Sequence, residues 1–108
     1  MAKARALLNV IEHFRLIDSG MHAQSMSIFL YVAEYDPKAV AMQEIAQEIG
    51  VSQASVSRNV ALLSSTTRYR TKGPNLLQAA EDPNERRSKL VTLTHKGRKF
   101  YNDLEKLV

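Results

Sequence analysis

The sequence predicts a mainly helical domain that carries one small β-hairpin. Apolar residues recur at helical spacing in the stretch before Ser64 and again after Thr94. Two short runs suited to strands follow Pro74, and the residues between them, Asp82-Pro83-Asn84, are turn formers.

Length and composition bound the rest. A chain of 108 residues is read as one domain, residues 1–108. A hydrophobic share of 44% and a charged share of 24% are those of a folded globular chain. The absence of cysteine excludes a disulfide framework, a thiolate zinc site, an iron–sulfur cluster and a cysteine nucleophile. No apolar run approaches the roughly 20 residues that span a bilayer. The basic N-terminus is followed by a stretch broken by Asn9, Glu12, His13 and Arg15, which is not a signal peptide. The expected compartment is the cytoplasm, with no membrane partner.

The elements follow in order. Residues 4–18 read as an N-terminal helix, with Leu7, Val10, Ile11, Phe14 and Ile17 on one face and Leu8 and Leu16 widening the stripe. Gly20 is expected to end it in the left-handed conformation. Ser25 to Tyr35 reads as a second helix. One stripe is Met26, Phe29, Leu30 and Ala33, the other Ile28, Val32 and Tyr35, so burial on both sides is expected. Asp36-Pro37 ends it. Residues 42–49 form a short third helix that buries Met42, Ile45, Ala46 and Ile49, although Ala41 offers no capping oxygen. Ser52 caps a fourth, whose inner face is Val56, Val60 and Leu63. Leu76–Glu81 and Ser88–Thr94 are expected strands. Thr94 caps a C-terminal helix, residues 95–108, with Phe100, Leu104, Leu107 and Val108 on its face.

Charge is polarised along this order. Residues 1–50 hold four basic and six acidic residues, and residues 51–108 hold eleven and five, so the two parts carry −2 and +6. Such a second half suits a polyanion, nucleic acid first among them, although a solubilising basic surface gives the same numbers.

The stretch 42–65 reads as a helix-turn-helix. Ala46 is small where the second helix crosses, Gly50 takes the turn, where a side chain is expected to clash, and Val51 and Val56 pin the helices together. The second helix is then free to enter a major groove. Its expected DNA-facing residues are Ser52, Gln53, Ala54, Ser55, Ser57, Arg58 and Asn59; Gln and Asn suit adenine and Arg suits guanine. The following hairpin, residues 75–94, makes this a winged helix. Its tip, Glu81 to Arg87, brings Arg86 and Arg87, with Ser88 and Lys89 behind them, to a position suited to a minor groove. Alternatively, the arginines pair with Glu81, Asp82 or Glu85.

The run Asp82-Pro83-Asn84-Glu85-Arg86-Arg87 leading to Leu93-Thr94-His95-Lys96-Gly97 resembles the wing of MarR-type winged-helix regulators. The segment Ala46 to Arg58 resembles that family's helix-turn-helix, with Ile45 and Ile49 in place of leucines. The resemblance implies a homodimeric transcriptional regulator. Its recognition helix would read the major groove, a wing arginine would enter the minor groove, and the first and last helices would dimerise. The interface residues are then expected to be Leu7, Val10, Ile11, Phe14, Ile17, Phe100, Leu104 and Leu107. The link from recognition helix to wing is longer than the family pattern by roughly eight residues. It adds Arg68, Arg70 and Lys72 as possible backbone contacts; the bland alternative is a tolerated surface insertion.

Other chemistry is weakly supported. His13, His22 and His95 lack metal-ligand spacing, no glycine-rich phosphate loop is present, and no residues suggest a catalytic triad. The expectation is a DNA-binding regulator that is no enzyme, has no cofactor and no metal, and is a repressor sooner than an activator. Its operator and any small-molecule effector are not readable from the sequence. A replication or partition protein of a mobile element using the same fold is the first alternative, and a winged helix used for protein interaction is the second.

Overall fold

A computed structural model describes residues 2–65 and 72–108, the side chains of Ala2, Arg86 and Arg87 excepted. The described elements are α1 (Ala2–Ile17), α2 (Ala23–Tyr35), β1 (Val40–Ala41), α3 (Met42–Ile49), α4 (Gln53–Leu62), β2 (Leu77–Asp82), β3 (Glu85–Leu93) and α5 (His95–Glu105). No described helix is long and apolar enough to cross a membrane.

The helices lie close to where the periodicity sets them, with local differences. α2 begins at Ala23, so its first turn includes Ala23 and Gln24, and its cap residue His22 makes no side-chain capping bond. Burial of α2 is one-sided: Ile28, Phe29, Val32 and Ala33 are buried, while Leu30 and Tyr35 are exposed. α5 ends at Glu105, short of Val108. Gly20 is not left-handed; the turn after α1 is held by Asp18 Oδ1, which accepts from Gly20 N at 3.0 Å. Gly50 is left-handed at φ 79°, yet a Cβ there would meet nothing within 4 Å. The turn therefore requires glycine for its backbone conformation and not, as expected, to avoid a clash.

The sheet has three strands, in the order β1-β3-β2. β1 was not foreseen, because two residues are too few to show alternation. It pairs antiparallel with the C-terminal half of β3, Val40 opposite Val91 and Ala41 opposite Leu90. The hairpin pairs Leu77 with Leu93 at its base and Asp82 with Glu85 at its tip, with an irregularity at Glu81/Asp82. Its turn is Pro83-Asn84, braced by Asn84 N donating to Asp82 Oδ1 at 2.9 Å. Arg86 and Arg87 consequently belong to strand β3 and not to the turn itself. At the base, Leu77, Val91 and Leu93 are buried; from Gln78 to Glu81 the wing strand is exposed, so the wing projects from the core.

The core joins the helix-turn-helix (Ile45, Val56, Val60, Leu63) to the base of the wing and to α2. Beneath α1 and α5 it becomes aromatic. Phe14, Phe29 and Phe100 meet edge to face with ring centroids 5.2–5.7 Å apart, and His13 stacks on Phe100 at 5.2 Å. This corrects the expected dimer face. Phe14, Phe100 and Leu104 are buried within this chain, because α1 and α5 close over Phe29 of α2. Val10, Ile17 and Leu107 are half-buried against the same core, and Leu7, Leu8, Ile11 and Leu16 stay exposed.

One crossing ties recognition helix, wing and α5 together. The Leu63 carbonyl, just past α4, accepts from Leu76 N at 2.7 Å and Leu77 N at 3.1 Å. Leu76 O accepts from Thr94 N at 3.1 Å, and Thr94 Oγ1 donates to Asn75 O at 2.6 Å and caps α5 by accepting from Gly97 N at 2.8 Å. A Cβ on Gly97 would lie 2.0 Å from Leu76 O, so α5 can approach the chain just before β2 only with glycine there. The ends of the long connection are pinned nearby: Gly73 N donates to Ser65 O at 2.9 Å and Asn75 N to Ser64 O at 3.2 Å. Arg68 and Arg70 lie outside the described residues.

Candidate nucleic-acid interface

α4 is capped by Ser52, whose Oγ accepts from Ser55 N at 3.0 Å. This cap stops the chain from fraying where the helix leaves the turn. α4 contains no acidic residue and one cation, Arg58. Gln53, Ala54, Ser57 and Arg58 are exposed and Ser55 is half-buried, consistent with the expected outer face. A hydroxyl chain runs beneath Arg58: Ser52 Oγ donates to Ser55 Oγ at 3.1 Å, and Arg58 Nη2 donates to the same Ser55 oxygen at 3.0 Å. The guanidinium is thereby laid along the helix.

Asn59 departs from expectation. It is 8% exposed and points into the α2–α4 seam instead of outward. Its Nδ2 donates to Gln24 Oε1 and to Ser55 O, each at 2.8 Å, and its Oδ1 accepts from buried Ser25 Oγ. Three residues beyond Val56 and next to Val60, it falls on the inner arc, where a polar residue is stable only when fully hydrogen-bonded. Asn59 thus fixes the recognition helix to α2 and is not available to a base.

Two flanks of α4 differ in character. On the wing side, Gln53 and Gln43 share a groove with Glu85 and half-buried Ser88. Farther along, Ser57 shares one with Gln78 and Lys89. Lys89 is exposed, stands opposite Glu81 in the ladder, and makes no ion pair among the described residues. α4 and the wing therefore face each other across two grooves. On the other flank, α4 and the first turn of α2 enclose a cleft of about 520 Å³ whose polar lining includes His22, Gln24 and Arg58. Of these, His22 and Gln24 escaped the sequence reading, which started α2 at Ser25. Lys72 is exposed at the end of the long connection. The Arg86 and Arg87 side chains lie outside the described part of the molecule.

No family model matches the chain, and no curated protein is similar to it in sequence. Solved structures are similar in fold. MepR from S. aureus, as a mutant bound to an oligodeoxyribonucleotide, has a TM-score of 0.74 at 15% identity, over 97% of this chain and 69% of that one. RV1404 from Mycobacterium tuberculosis has a TM-score of 0.73 at 17% identity, over 98% and 66%. A MarR-family transcriptional regulator from Rhodococcus sp. RHA1 has a TM-score of 0.67 at 22% identity, over 97% and 66%. The chain spans about two thirds of the length of these structures. It shares with them the winged-helix fold of the MarR type.

Proposed function

We propose that the chain is a sequence-specific regulator of transcription that binds double-stranded DNA as a homodimer and represses by occupying its operator. The observation that carries this reading is the placement of the wing alongside the exposed face of α4. A capped helix without acidic residues presents Gln53, Ser57 and Arg58 beside Lys89, which makes no ion pair among the described residues. A helix of this kind fits a major groove, and the hairpin beside it reaches the neighbouring minor groove. The MepR complex with an oligodeoxyribonucleotide supports the same use of the fold.

Within this reading Gln53 and Arg58 are the main base-reading residues, Ser55 and Ser57 assist, and Ser52 and Ala54 shape the helix entry. Arg86, Arg87, Ser88 and Lys89 form the wing contact, and Arg68, Arg70 and Lys72 approach the backbone. Repression follows from compactness, since a dimer seated on a promoter blocks polymerase by occupancy alone. Selection of bound sites from random duplex DNA, followed by footprinting, tests the proposal. The expected product is an inverted repeat with half-sites about one helical turn apart. A pool that shows no enrichment over successive rounds overturns it.

A further inference from the structure

The flank of α4 away from the wing holds a second run of basic side chains. The cleft between α4 and the start of α2 continues, through the shared residues His22 and Leu62, into a second cleft of about 490 Å³. Lys72 and Lys96 line that second cleft, and Arg58 lines the first. Both lysines are exposed, and neither forms an ion pair among the described residues. The acidic residue beside them is Asp18, whose Oδ1 is engaged by Gly20 N. Lys96 is held in place, because it sits in the first turn of α5 between the Thr94 cap and the close contact of Gly97 with Leu76.

A recognition helix lying in a major groove has a phosphate backbone on each side of it. The wing is placed to deal with one. We infer that the continuous strip from Arg58 past His22 to Lys72 and Lys96 seats phosphates of the other, with Lys72 and Lys96 as its chief cations and the His22 and Gln24 side chains hydrogen-bonding between them. Shape agrees with this role. The strip consists of two adjoining clefts, which suits successive phosphodiesters. Its cations come from three separate elements, so the track forms only in the folded chain. The inference rests on the reading of the chain as a duplex-DNA binder, and assigns residues of α2 and α5 that lie outside both helix-turn-helix and wing.

The test is the salt dependence of binding to a labelled duplex carrying the selected site and to a scrambled one. Lys72→Ala with Lys96→Ala is expected to lower the slope of log affinity against log salt by about 0.9 for each phosphate no longer neutralised. The ratio of specific to scrambled affinity and the melting temperature should stay unchanged. Lys38→Ala with Lys106→Ala removes the same charge from residues that line neither cleft, and is expected to keep the wild-type slope. A Lys72/Lys96 variant with the wild-type slope, or one whose slope falls no further than that of the Lys38/Lys106 control, overturns the inference while leaving DNA binding intact. Wild-type protein that binds no duplex at low salt overturns the parent reading and this one together. Phosphate ethylation interference on the wild type gives an independent check. Blocked phosphates are expected on the backbone beside the recognition helix away from the wing, and their absence there overturns the strip.

Discussion

Asn59 shows how one residue's meaning depends on which arc of its helix it occupies. Its amide is committed to Gln24, Ser25 and the Ser55 carbonyl. Asn59→Ala would leave the Ser25 hydroxyl buried without its acceptor, and the expected loss of stability is about 1–3 kcal/mol by urea denaturation. A variant of full stability whose base preference changes at one position would return Asn59 to the DNA-facing set. Asp36 carries a second residue-scale prediction. It closes α2 onto α5 through a two-bond pair with Arg98, at 2.8 and 2.9 Å, and the guanidinium holds its carboxyl below the ordinary value of 3.8. A lowered folded-state pKa means that the pair stabilises the native state above the ordinary value and ceases to do so as pH falls through the folded one. Asp36→Asn should therefore be less stable than wild type near neutral pH, with the gap closing below about pH 4. Melting temperatures across that range check this, and a gap independent of pH would place the effect elsewhere. Tyr31 illustrates the opposite shift. Burial, with the Glu44 carboxylate that accepts from its hydroxyl at 2.8 Å, pushes its ionisation well above the ordinary phenol range, so Tyr31 is a neutral donor that ties α2 to α3.

The wing is an element whose two ends do different things. Its base is core, through Leu77, Val91 and Leu93, and farther out residues 78–81 and 83–85 are exposed. A pair of changes in the outer part is consequently expected to spare the fold. Arg86→Ala with Arg87→Ala should weaken DNA binding, most on sites with A·T-rich flanks, where a narrow minor groove concentrates negative potential. The melting temperature should stay within about 2 °C of wild type, as for surface changes of under 0.5 kcal/mol. A collapse in melting temperature would mean that the arginines hold the hairpin through its acidic residues. The long connection is likewise an element defined by its ends. A Cβ on Gly73 would stand 2.0 Å from Ser64 O, so the chain returns almost to the point at which it left α4. A segment whose ends meet can lengthen with little effect on the strands and helices it joins.

For the whole molecule, the question is what the N-terminal part of α1 is for. Leu7 is 61% exposed and Ile11 47%, while Phe14 on the same stripe is 1% exposed. The stripe is divided: its C-terminal part completes this chain's core, and its N-terminal part stays exposed, with Val108 exposed nearby. The proposed partner is a second copy, since a two-fold dimer supplies the same face twice and reads an inverted repeat. Leu7→Glu with Ile11→Glu is expected to convert dimer to monomer in sedimentation at tens of micromolar without loss of helicity, because neither side chain supports the core. A wild-type monomer at that concentration, with and without DNA, would dismiss the dimer.

The elements themselves were legible because their causes are local. The 3.6-residue spacing of Val56, Val60 and Leu63, the capping hydroxyls of Ser52 and Thr94, and Pro83 in the wing turn act within one or two turns of chain. The outer face of α4 followed from the same spacing, with Gln53, Ala54, Ser57 and Arg58 exposed along it. Tertiary structure decided the rest, for reasons of packing between distant segments. It made a strand of Val40–Ala41 because the edge of β3 was open to it. It buried Phe14 and Phe100 around Phe29, although their spacing suits an external partner equally well. It turned Asn59 inward onto Gln24 and Ser25, and it lined two adjoining clefts with Arg58, Lys72 and Lys96. Periodicity states which side of a helix is apolar. What that side meets depends on where the other helices lie, and only the folded chain fixes that.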